Sequence, residues 1–206
     1  MVASFARLLK LDYGEVLGET GRQYAEFALD GAVRMQRLIR DLLAYAQLSR
    51  PTTDPDSIPI AKVVETAVQN LGLAIAESGA TVEWDALPTL PVVESQLVDV
   101  FQNLIGNGIK FRGAARPEIR IRAQRDGDTW LFAIQDNGIG IASEYTQTIF
   151  EVFKRVDPHA EQSGTGIGLA ICKRIVEYHR GEIWVESSLE RGATFFVRLP
   201  APRGSG

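Results

Sequence analysis

Cysteine is almost missing from this 206-residue chain, and a single one, Cys172, excludes an internal disulfide and fits a reducing compartment. It lies on an apolar helical face, where inert packing is expected. Histidine is nearly as scarce, so any role for imidazole falls to His159 or His179. No apolar run approaches the ~20 residues that span a bilayer, and nothing resembles a signal peptide. Positive charge is not in excess: 22 Lys and Arg stand against 26 Asp and Glu, a net charge of -4. That balance argues against a nucleic-acid partner held by a basic face. There are no internal repeats. The chain is therefore expected to be soluble and cytoplasmic, with no membrane segment and no nucleic acid.

What is present begins with helical periodicity. Val2, Phe5, Leu8, Leu9 and Tyr13 share one spacing, the stretch from Gly14 to Gly21 reads as a loop, and Tyr24, Ala28, Met35, Leu38, Leu42 and Tyr45 resume near a/d spacing. Two helices cannot bury such a stripe between themselves, so residues 1–50 are expected to dimerise as a hairpin into a four-helix bundle. Residues 51–59 carry three prolines among short polar side chains and read as a linker. From 60 to 200 helices and strands segregate: helices over Ile60 to Glu77 and Val93 to Phe111, strands over Thr81 to Trp84, Ile119 to Ala123 and Thr129 to Gln135. A short helix capped by Ser143, a helix over Gly166 to His179, and strands over Glu182 to Glu186 and Thr194 to Leu199 follow. The expected fold class is α+β, an α/β sandwich with a mixed sheet and helices on one face, preceded by the hairpin. Residues 201–206 read as a tail.

The strand ending in Ile134-Gln135 stops at Asp136-Asn137-Gly138-Ile139-Gly140. Alone, an acid before glycines is a turn as often as a site. Here a second glycine cluster, Gly164-Thr165-Gly166-Ile167-Gly168-Leu169, opens a helix, and Asn103, Asn107 and Lys110 share one face of another. Together they suggest a nucleotide pocket. Asp136 would accept from an exocyclic amine, the glycines would admit base and phosphates to the backbone, and an asparagine oxygen would help hold Mg2+. Phe150 and Phe153 are expected as core anchors, and Val156 to Ser163 as a lid.

In this order the motifs resemble the ATP-binding catalytic domain of sensor histidine kinases, in the superfamily that includes gyrase, chaperone ATPases and mismatch-repair ATPases. The N box is Gln102 to Phe111, the glycine boxes are Asp136 to Gly140 and Gly164 to Gly168, and the F box is Ile149 to Arg155. The hairpin looks like the dimerisation and phosphoacceptor segment of such kinases, especially of the bacterial phytochrome type. The resemblance implies that Asn107 coordinates Mg2+, that Asn103 supports it, and that Lys110 and Arg155 reach phosphates. ATP would lie against Asn107, Lys110, Phe111, Asp136, Gly138, Ile139 and Gly140, and against Gly164, Thr165, Gly166, Ile167, Gly168 and Leu169. The implied partners are a second copy through the hairpin and a response-regulator receiver domain.

Hydrolysing branches of the superfamily place a glutamate one turn before the key asparagine, where this chain has Asn103. Lacking that base favours phosphoryl transfer over hydrolysis. Neither histidine fits an acceptor on the hairpin, so no phosphoacceptor is assigned, and the chain is expected to begin just past that site. A regulatory ATP-binding module and a dimeric scaffold are the alternatives. An anti-sigma-type serine kinase fits the pocket but not the hairpin.

Overall fold

The computed structural model describes residues 1–47, 55–154 and 165–202. Two compact units result, Met1–Ala46 and Gln47–Gly206.

The first unit holds helices α1 (Val2–Tyr13) and α2 (Gly18–Gln47). The second helix begins within the stretch expected to be loop, and Gly18 at its start has φ +63°, a backbone angle that favours glycine. Lys10 pairs with Glu26 between the helices. Among the described residues of this unit only alanines are buried, Ala6, Ala25 and Ala32, whereas Phe5, Leu8, Tyr24, Phe27, Met35 and Ile39 are exposed.

The second unit is built on a five-stranded sheet of order β2-β4-β5-β7-β6, formed by β2 (Thr81–Trp84), β4 (Glu118–Asp126), β5 (Thr129–Asp136), β6 (Glu182–Ser187) and β7 (Ala193–Pro200). Strand β2 runs parallel to β4 and the other pairs are antiparallel, so the sheet is mixed. Period-two alternation turns Ile119, Ile121, Phe132, Ile134, Val197 and Leu199 inward. They pack under α3 (Ile60–Asn70), α5 (Glu94–Lys110) and α6 (Gly168–Tyr178), whose apolar faces include Val63, Leu97, Leu104 and Ile175, all at most 1% exposed. Each such side chain contributes about 1.5–3 kcal/mol on leaving water. Phe101 of α5 meets Phe132 edge to face, with 6.0 Å between ring centroids, and ties helix to sheet.

Several local expectations change. The helix expected over Ile60 to Glu77 divides into α3 and α4 (Gly72–Ser78), because Leu71 sits at φ -92°, ψ 5° and Gly72 follows it. Asp56–Pro59, placed in the linker, form β1, which pairs antiparallel with β3 (Thr89–Val92), a strand not expected at all. Ser143 does not cap a helix. It opens the first of two 3₁₀ turns, Ser143–Tyr145 and Thr148–Phe150, with no side-chain cap. Helix α6 starts two residues later than expected, since Gly166 has φ +74°, outside helical space.

Candidate functional site

Asp136 closes β5, where the antiparallel partner of the strand ends and the chain turns off into glycines. Its Oδ1 accepts from the backbone N–H of Gly138 at 2.9 Å and of Ala193 at 3.1 Å, while Oδ2 takes no hydrogen bond among the described residues. Burial pushes its carboxyl above the usual carboxylate range, and the two N–H groups oppose that rise. A mostly buried acid with one oxygen anchored and the other free is poised to receive a donor.

The turn between β6 and β7 buttresses this loop. Ser187 Oγ donates to the Gly192 carbonyl at 2.7 Å and accepts from Ile141 N–H at 2.8 Å, and Glu190 N–H donates to the Ile139 carbonyl at 2.8 Å. A methyl group at Gly192 would overlap the Asp136 carbonyl, and one at Gly140 would overlap that of Ser188. The sequence left 187–193 simply between two strands, and nothing in it marked this supporting role.

Helix α5 approaches from the other side. Gly108 faces the sheet so closely that a methyl there would lie 3.0 Å from Ile119 and 3.1 Å from Asp136 Cβ. Leu104, Ile105 and Ile109 are buried, which leaves Asn103, Asn107 and Lys110 partly exposed on the other face. The two asparagines differ in engagement. Asn103 Nδ2 donates to the Asp99 carbonyl at 2.9 Å, and its Oδ1 abuts Gly168, where a methyl would come within 2.5 Å. The Asn107 side chain makes no hydrogen bond among the described residues. Lys110 Nζ lies 4.9 Å from the Phe111 ring centroid. The Phe111 carbonyl accepts from Ile139 N–H at 2.9 Å, so the N box and the first glycine box are directly joined.

The second glycine box is described from Thr165 onward. Thr165 Oγ1 accepts from Ile167 N–H at 3.4 Å. Ile167 is fully buried, whereas Gly168 and Leu169 are partly exposed. Helix α6 has no side-chain cap at its start, and this terminus, whose first-turn N–H groups have no intrahelical partners, is set against Asn103. Phe153 N–H donates to the Gly166 carbonyl at 2.9 Å and thereby links the F box to this cluster. Phe150 is buried against Phe195, with ring centroids 6.5 Å apart, as expected of an anchor. Phe153 is not an anchor: it is 57% exposed at φ +64°. Arg155, Gly164, His159 and the expected lid lie outside the described residues.

The remaining sequence candidates are structural. His179, at the C-terminal end of α6, is buried, its Nδ1 bonds the Ile175 carbonyl at 2.8 Å, and its Nε2 accepts from Val93 N–H at 3.0 Å. That pair of bonds fixes a neutral ring with the proton on Nδ1, and burial pushes its pKa down. Cys172 is fully buried and its thiol is pushed far up by desolvation, which makes it inert packing. No helix among the described residues is long and apolar enough to cross a membrane.

Residues 92–203 match the family described as Histidine kinase-, DNA gyrase B-, and HSP90-like ATPase. The chain is 43% identical over 199 residues to the Phytochrome-like protein Cph1 of Synechocystis sp., covering 97% of this chain and 27% of that protein. It spans about a quarter of the length of the curated relatives it matches. Among solved structures, full-length ShkA in complex with AMPPNP superposes with a TM-score of 0.72 at 26% identity, covering all of this chain and 43% of ShkA. The histidine kinase ThkA, solved with the response regulator protein TrrA, shares the fold at a TM-score of 0.68 and 20% identity, covering 98% of this chain and 60% of ThkA.

Proposed function

The chain belongs to the histidine kinase-, DNA gyrase B- and HSP90-like ATPase family, as the ATP-binding catalytic domain of a sensor histidine kinase, and from that membership we propose that it binds Mg-ATP for phosphoryl transfer to a protein histidine supplied from outside these 206 residues. The observation that carries this proposal is the free Oδ2 of a half-buried, backbone-anchored Asp136 beside helix α5. In it, Asp136 takes the exocyclic amine of adenine, the backbone of Gly138 and Gly140 lets the base approach, Ile139 lies against it, and Phe111 flanks the nucleotide on the Lys110 side. Lys110 and the α6 terminus, with Arg155 and Gly164 to Leu169, receive the phosphates.

Mg2+ keeps several waters and takes few protein ligands besides substrate phosphates, so one side-chain oxygen can serve it. The uncommitted amide oxygen of Asn107 fits that role, while Asn103 supports it by seating Gly168. When bound, Mg2+ neutralises phosphate charge. With asparagine rather than a carboxylate at position 103, no side chain there takes a proton from water, which disfavours hydrolysis. An imidazole nitrogen attacks the terminal phosphorus as the P–O bond to the β-phosphate breaks, and ADP leaves with the electron pair.

The exposed apolar stripe of α1 and α2 supports a homodimer through the hairpin, and family membership supports a response-regulator receiver domain as the downstream partner. The test is transfer in trans. With labelled ATP and magnesium, the chain should label a separate hairpin that carries an acceptor histidine, and should gain no acid-labile phosphohistidine itself. Self-labelling abolished by His159→Ala or His179→Ala, or no transfer in a chain that binds ATP, would overturn it.

A further inference from the structure

Asn137 follows Asp136 within the first glycine box, and no role in the site has been given to it so far. Its carboxamide makes two well-formed bonds to one stretch of backbone. Oδ1 accepts from Glu118 N–H at 2.9 Å and Nδ2 donates to the Arg116 carbonyl at 2.9 Å. Those two groups flank Pro117, which has no N–H of its own and whose carbonyl accepts from Thr81 N–H at 2.9 Å on the other side. A donor and an acceptor that grip the residues either side of one position is the pattern of a parallel strand. The side chain therefore adds one more rung to the sheet after the backbone of β5 has turned away.

The rung has a counterpart two residues on, where Ile139 N–H holds the Phe111 carbonyl at 2.9 Å. The connection from α5 to β4 is thus held at its start by residue 139 and at its end by residue 137. Lys110 immediately precedes it, with its ammonium over the Phe111 ring. Gly138 allows the close approach, since a methyl there would lie 2.5 Å from the Phe111 carbonyl oxygen. Asp136 itself is held by other groups, the Gly138 and Ala193 N–H and the β5 ladder.

Building on the nucleotide-binding proposal above, we propose that Asn137 is a positioning residue for the phosphate end of the site: its amide clamp on Arg116 and Glu118 fixes the connection that holds Phe111 and Lys110 in place. Losing the clamp frees the phosphate side and leaves base recognition by Asp136 intact. A residue that merely supported the fold would weaken all ligands together.

The experiment titrates the isotope-labelled chain with ADP and with adenosine, read by amide chemical shifts, which report weak binding as well as strong. In Asn137→Ala, ADP affinity should fall about tenfold, the scale of two neutral hydrogen bonds. Adenosine affinity should change by less than about twofold on the same reasoning, and the Glu118 amide should exchange faster with solvent. Asn137→Asp keeps the acceptor for Glu118 N–H and loses the donor to Arg116, so Glu118 should stay protected while ADP binding weakens. It also serves if the alanine variant does not fold. ADP affinity unchanged in both variants, or ADP and adenosine weakened equally, would overturn the clamp's role. A wild type that binds neither ligand would instead remove the nucleotide-binding proposal, and the clamp's role with it.

Discussion

Replacing Asp136 by asparagine separates nucleotide recognition from folding more cleanly than any other change in the site. The Gly138 and Ala193 N–H groups both point at Oδ1 and remain donors, so they select the carbonyl oxygen of the new amide. Its NH₂ must then occupy the Oδ2 position and face the adenine amine, donor against donor. One charge-assisted hydrogen bond, worth about 1.5–3 kcal/mol, is lost, which corresponds to roughly 10- to 150-fold in affinity before any repulsion is added. Stability should move the other way or not at all. Because burial raises the Asp136 pKa, its contribution to stability is present below the unfolded carboxyl value and is lost as pH rises through the folded one. At neutral pH the ionised group is a cost that asparagine removes. Calorimetric titration with ATP, paired with thermal melting, should therefore show a large affinity loss in a variant at least as stable as wild type. Lowering the pH through the raised Asp136 value should weaken ATP binding more in wild type than in the variant, which keeps only the pH dependence of the nucleotide itself. Unchanged affinity in the folded variant would refute the assignment of Asp136 to the base.

Asn107→Ala should weaken ATP binding in magnesium far more than in chelator, whereas Asn103→Ala, which loses a seat for Gly168, should weaken both; equal losses for Asn107→Ala would contradict its metal role. His179→Ala strands the buried Val93 N–H and should cost about 1–3 kcal/mol in denaturant melts. With its folded pKa lowered, His179 supports stability above the unfolded value near 6.5; that support is lost as pH falls through the folded value, so the variant's deficit should shrink in mild acid. Sedimentation should find a dimer that Ile39→Asp, on the exposed stripe of α2, converts to monomer, and a compact monomer in both would remove the hairpin interface.

Much of the site was legible because its chemistry is written in short tracts. Alternating apolar residues ending at Asp136 marked a strand end, and the spacing of Asn103, Asn107 and Lys110 put them on one helix face, since both periods follow from local backbone geometry. Where local signals competed, the expectation failed. Phe153 is as apolar as Phe150, but a positive φ and its bond to Gly166 turn it outward. The prolines at 55 and 59 spoke for a linker, although β1 is a short strand with Pro55 just before it and Pro59 at its last position, where a proline is tolerated.

The sequence by itself determined which faces are apolar, where the chain must turn, and which side chains of the N box and glycine boxes share a helix or a loop. Only the tertiary structure decided what those side chains are free to do. Asn103 and Asn107 are equivalent in the sequence, yet α6 arriving at Gly168 occupies the first and leaves the second open. His179 ends a helix like any other histidine until Val93, 86 positions away, donates to it. Asp136 has two identical oxygens until Ala193, 57 positions on, anchors one of them. The physical reason is common to all three: period and propensity act over a few residues, whereas a close contact or a hydrogen bond across such separations exists only once the core has brought distant segments together.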